Sequence, residues 1–177
     1  TPIALDNAAA IALSRKSVAA IGDDFLVVFS KDQKPSAILV HGDGTHEAIA
    51  LPYANGAPPQ VVTNGRTWFI VAAQSFGMGV VRVARSGALL TPSVANIGPA
   101  NVVDAASDGD HFAVLGTLVG THAHTTLQIF DADFTRVDKN VDFGDLGTSP
   151  LIAGTDDGYV IVSRADVAFA RRVSLGG

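Results

Sequence analysis

Gly65-Arg66-Thr67-Trp68-Phe69-Ile70-Val71 is a tight turn, an aromatic and an apolar run in succession, and it decides the fold because it recurs. It stands earlier as Gly22-Asp23-Asp24-Phe25-Leu26-Val27-Val28 and later as Gly109-Asp110-His111-Phe112-Ala113-Val114. A shortened copy is Asp157-Gly158-Tyr159-Val160-Ile161-Val162. The aromatics at 25, 68, 112 and 159 are 43, 44 and 47 residues apart. A second marker, a strand running into a polar turn, follows the first at Val40, Val83, Ile129 and Val173, spaced 43, 46 and 44. Two markers drifting together at a fixed period are the mark of a repeat architecture.

Within each period the pieces are strand-sized. Phe25–Ser30, Ala37–His41, Trp68–Ala73, Gly79–Ala84, Phe112–Thr117, Thr125–Phe130, Tyr159–Ser163 and Ala168–Val173 are short β-branched and aromatic runs. Turn dipeptides separate them: Asp43-Gly44, Asn55-Gly56, Asn64-Gly65, Ser86-Gly87, Asp108-Gly109 and Asp157-Gly158. Helical periodicity is nearly absent, the best candidate being the Ala-rich stretch Asn7–Leu13. The second unit divides into Gln60–Thr63, Trp68–Ala73, Gly79–Ala84 and Leu89–Ala95. Four antiparallel strands per 40–45 residues describe a β-propeller blade. The expected fold is therefore all-β, one domain over 1–177, built of four four-stranded antiparallel blades. Joined on paper across its ends, the chain keeps the period, Tyr159 to Phe25 being 43 residues. Thr1–Leu5 then supplies the missing outer strand of the last blade and closes the ring. The same phase also suits half of an eight-bladed ring assembled from two chains.

Asp108-Gly109, Asp157-Gly158, Arg82-Val83, Arg172-Val173 and the Phe25, Trp68, Phe112 and Tyr159 set resemble the blade pattern of bacterial β-propellers in secreted or surface proteins. The resemblance covers nearly the whole chain and implies a propeller in an exported protein. Trp-Asp and kelch-type signatures are missing, so neither of those subfamilies is implied.

Composition narrows the partners. The chain has 177 residues, 47% hydrophobic and 16% charged, with a net charge of −5 and a mean hydropathy of +0.31. No window gathers Lys and Arg as a nucleic-acid backbone or an anionic membrane requires. No apolar run approaches the roughly 20 residues of a membrane-spanning helix. Without cysteine, thiolate nucleophiles and Cys-ligated metals are excluded.

His122-Ala123-His124 is the sharpest local pattern, because imidazoles two residues apart on a strand face one side and can share a metal. With no third ligand fixed, the pair reads as exposed loop residues. Asp131, Asp133, Asp138, Asp142 and Asp145 lack the regular offsets of a calcium loop and read as a solvated hairpin edge. No serine stands at a strand–turn–helix elbow, and no Gly-rich stretch carries the Lys of a phosphate cradle. No metal, cofactor or catalytic residue is assigned.

Only turn and core positions repeat. The loops between second and third strands are unlike: Lys31–Ser36, Gln74–Met78, Leu118–His124 and Arg164–Val167. A single site built from these loops is expected, with Lys31, Gln74, His122, His124 and Arg164 as ligand-binding candidates. The expected function is a non-enzymatic recognition or assembly module for a protein or carbohydrate partner, as monomer or homodimer, secreted or at the cell surface. The alternatives are a hydrolase with acids or His at the central channel, and a structural half-ring that dimerises.

Overall fold

The computed structural model describes residues 11–75, 77–98, 101–118, 124–137, 141–146, 148–164 and 168–175. They form sixteen strands in four antiparallel sheets, and no helix is among them. The first sheet holds β1 (Ile11–Ala12), β2 (Val18–Ile21), β3 (Asp24–Lys31), β4 (Lys34–Val40) and β5 (His46–Ile49). β1 and β2 lie along the same side of β3, Ile11 opposite Lys31 and Val18 opposite Val27, so they are one innermost strand interrupted at Leu13–Ser17. The second sheet is β6 (Gln60–Thr63), β7 (Thr67–Gln74), β8 (Gly77–Ala84) and β9 (Ala95–Gly98). The third is β10 (Asn101–Ser107), β11 (Phe112–Leu118), β12 (His124–Phe130) and β13 (Val141–Asp142). The fourth is β14 (Thr148–Thr155), β15 (Gly158–Arg164) and β16 (Ala168–Ser174).

The second strand of each sheet explains the stacking. Trp68, Phe69, Ile70 and Val71 are all fully buried, which a strand with one wet face does not allow. Trp68 and Ile70 pack on Leu26, Val28 and Leu39 of the first sheet. Phe69 and Val71 point the other way, onto Phe112, Val114 and Phe130 of the third. Leu115 and Leu127 of that sheet meet Tyr159 and Ile161 of the fourth. Three apolar interfaces thus join four sheets in chain order, and the fold is propeller-type.

The aromatic positions 25, 68, 112 and 159 are register-equivalent, facing Val40, Val83, Phe130 and Val173 on the third strands. The second marker is therefore Phe130 in the third blade rather than Ile129, which pairs with Ala113 and faces the fourth sheet. Two other expectations are corrected. The Ala-rich stretch ends in strand, not helix, since Ile11–Ala12 pairs with Ser30 and Lys31. The outer strand of the second blade is Ala95–Gly98, later than Leu89–Ala95: Pro92 has no N–H for a ladder, and Leu89 makes only an isolated bridge to Val83. The expected closure by Thr1–Leu5 falls outside the described residues, as does residue 123 between the two histidines.

Turn chemistry follows the dipeptides. Gly65 sits at φ +80°, and Asn64 Oδ1 accepts from the N–H groups of Arg66 and Thr67 at 3.0 Å. Asn55-Gly56 is a different case: a Cβ on Gly56 would stand 2.6 Å from the carbonyl oxygen of Ala73, so glycine there permits close approach between blades. Tyr53, on the same connection, hydrogen-bonds through its buried hydroxyl to the carbonyls of Ile70 and Gly79 at 2.9 and 3.0 Å. Burial pushes this phenol upward, so it stays neutral.

Because Phe112 fills the interface between second and third sheets, Phe112→Ala is expected to cost about 3–5 kcal/mol, read as a lowered urea midpoint at constant slope.

Candidate binding face

The hairpins joining second to third strands all leave the sheets at one end, here the upper face. The last strand pairs at that end are Lys31 with Lys34, Gln74 with Gly77, Leu118 with His124 and Arg164 with Ala168. The connection from the first blade to the second crosses the same end. Gly56 N–H donates to Gln33 O at 3.0 Å, and Ala57 N–H donates to Ala73 O at 3.2 Å. A hollow of about 360 Å³ opens beside it, lined by Ile11, Ala12, Ser30, Gln33, Gly56, Ala57 and Pro58.

Four of the sequence-derived candidates, Lys31, Gln74, His124 and Arg164, stand at strand ends on this face. Lys31 ends β3, and Gln74 ends β7 with its amide donating to the carbonyl of Ala73 at 3.2 Å. Arg164 ends β15 opposite Ala168. His124 opens β12 and stands half exposed, its Nδ1 3.1 Å from Asp142 Oδ2. The Gly144 N–H on this carboxylate, joined by His124, holds Asp142 below the usual carboxylate range. His122 lies outside the described residues. Among the described residues no three His, Asp or Glu side chains come together to hold a metal. No described helix is long and apolar enough to cross a membrane.

Sequence reasoning missed the axis. Ser17, Gln60, Asp104 and Leu151 hold equivalent places on the four innermost strands, opposite Val28, Val71, Leu115 and Val162. Ser17, Gln60 and Asp104 are buried, each on the side facing the following blade. The interruption at Leu13–Ser17 throws Lys16 out of the first sheet and into this centre. Its Nζ meets Asp104 Oδ1 at 3.0 Å and donates to the carbonyls of Ala105 and of Ile152, the latter at 2.9 Å. The other Asp104 oxygen accepts from Ile152 N–H at 2.9 Å. A register shift between Val102 and Asp104 aims that carboxylate inward. First, third and fourth blades therefore meet through one ammonium and one carboxylate. Ser14 and Val61 tie the same segment to the second blade, Ser14 Oγ donating to Pro59 O at 2.6 Å and Val61 N–H to Lys16 O at 2.8 Å. The only signals in the sequence were an unremarked Lys and an Asp 88 residues later, which no local pattern connects.

The fold has a solved counterpart. The chain matches a structure titled "Bacteroides ovatus Xyloglucan PUL GH43B", with a TM-score of 0.59 and 16% sequence identity. The match covers 92% of this chain and 39% of that one, so this chain spans about two fifths of its counterpart's length. That structure is a five-bladed propeller, and the likeness is one of fold. No protein-family model matches the chain, and no curated protein does.

Asp104 is 1% exposed, so removing only its cation leaves a buried charge. Lys16→Met is expected to cost about 3 kcal/mol and Asp104→Ala at least as much, with Lys16→Met/Asp104→Leu costing less than the sum. Equilibrium unfolding of the four proteins checks this. At the lower end, Arg85 Nε lies 2.8 Å from Asp24 Oδ2 and holds that carboxylate below its usual range. The resulting stability is present above the ordinary Asp pKa and is lost as pH falls through the lowered one. Arg85→Gln should raise the Asp24 midpoint, followed by carboxyl NMR.

Proposed function

We propose that this protein is a non-enzymatic recognition module that binds a protein or glycan partner through the upper face of a propeller. The observation that carries the reading is the axis. A glycosidase needs two carboxyl groups facing an open cleft, roughly 5–10 Å apart. Here the axial carboxylate is buried and engaged by Lys16 and the Ile152 N–H. What varies from blade to blade is the hairpin chemistry at the upper end: Lys31, Gln74, His124 and Arg164, with His122 beside them in sequence. Unlike loops on a stacked scaffold build one asymmetric site, which suits a single partner.

The hydrolase reading rests on the solved counterpart, whose title names a GH43 protein from a xyloglucan system. The half-ring reading is disfavoured by Lys16. In an eight-bladed ring the first and fourth sheets of one chain would stand across a wide channel, whereas one lysine side chain spans them here. The protein is accordingly taken as a monomeric propeller about its own axis, and the blade-pattern resemblance favours an exported or surface-displayed protein.

Xyloglucan oligosaccharides serve as the first probe. Calorimetry and a reducing-sugar assay run in parallel should detect no sugar release. Any binding should weaken at least about tenfold in a Lys31→Ala/Gln74→Ala/Arg164→Ala variant, the size of a lost polar contact set. Sugar release that survives purification and is lost with an upper-face carboxylate would replace this reading with the hydrolase.

A further inference from the structure

The repeat dictates what each blade face should touch, and among the described residues two faces lack the expected neighbour. Trp68, Phe112 and Tyr159 share one register position, and each is fully buried against the preceding blade. Phe25 holds that position in the first blade and is 44% exposed. Val18, its neighbour on the same face, is 55% exposed. At the other end of the arc, Leu151 and Val162 pair across β14 and β15 on the face turned away from the third blade. They are 44% and 46% exposed, where their equivalents Asp104 and Leu115 are buried against the next sheet.

These faces border the same gap. Innermost strands pack side by side in order, β2 with β6, β6 with β10 and β10 with β14, and no comparable packing joins β14 to β2. Lys16 nevertheless reaches from the first sheet to the carbonyl of Ile152 in the fourth, so all four surround one axis. The solved counterpart of this fold has five blades, one more than the four sheets formed by the described residues. The walls of the gap have the chemistry of the three built interfaces, an aromatic and β-branched residues on one side and aliphatic residues on the other.

We propose that the gap between the first and fourth sheets is a docking site for one further four-stranded antiparallel blade, carried on polypeptide continuous with this chain. The occupant presents aliphatic residues to Phe25 and Val18 on one face and an aromatic to Val162 and Leu151 on the other. A covalently joined blade arrives at high effective concentration, and topology places both ends of the four-sheet arc beside the gap.

The test supplies such a blade. Residues 58–98, the second blade, are appended to the 177-residue chain through a short Gly/Ser linker. Expected results are a monomer by light scattering, a raised urea midpoint, and amide exchange over 25–29 slowed about tenfold. Phe25→Asp should abolish these gains while leaving the unappended chain's midpoint nearly unchanged, and Val162→Asp should do the same from the other wall. Three outcomes overturn the proposal. If Phe25→Asp and Val162→Asp each strongly destabilise the unappended chain as a monomer, the two faces already cover each other in a four-bladed ring. If the unappended chain is a dimer that Phe25→Asp dissociates, a second copy is the occupant. An appended blade that remains protease-sensitive and leaves exchange over 25–29 unchanged also overturns it.

Discussion

Every sheet among the described residues carries apolar side chains on both faces, and such a sheet gains its stability from the neighbours that cover them. The stacking of Phe69 on Phe112, ring centroids 4.5 Å apart and nearly parallel, shows how closely that demand is met between the second and third blades. Phe130 and Phe134 extend the same contact at 4.9 Å. With side chains committed to neighbouring sheets, variation is pushed to the hairpins at the two ends. The interior fixes the stacking of the sheets, and the rim is left free to differ from blade to blade.

The axis obeys another rule. Innermost strands converge there, and polar groups withdrawn from water must find partners. Asp104 does so completely, through Lys16 and the Ala105 and Ile152 N–H groups. The ladder irregularities at Leu13–Ser17 and before Asp104 place these two side chains where regular strands would have sent them into the sheet faces. A regular ladder would have left the centre without this pair.

Long, doubly buried strands were legible because burial on both faces leaves continuous runs such as Trp68–Ala73, and Asn64-Gly65 or Asp157-Gly158 mark their ends. The period carried the blade order for the same reason. Short outer strands were not legible: β5, β9 and β13 have one wet face and few residues, and Pro92 moved one of them along the chain. The choice of Ile129 over Phe130 failed because neighbouring apolar residues on a strand face opposite sheets, a distinction set by pairing rather than composition. His124 read as a loop residue, yet it opens a strand and partners Asp142 on the next. Lys16 and Asp104 belong to different blades, and only the stacked sheets bring them together.

Lys16 also changes the kind of cooperativity available to the molecule. A row of stacked sheets behaves as a one-dimensional chain in which each unit feels only its neighbours, and such rows fray from their ends. An ammonium on the first sheet that binds carbonyl groups on the third and fourth adds a coupling across the row. The first sheet is made before the fourth, and it cannot complete its own bonding until Ile152 has been made and folded. Its innermost strand is made before it can be secured, so the register of the first sheet is checked against the fourth.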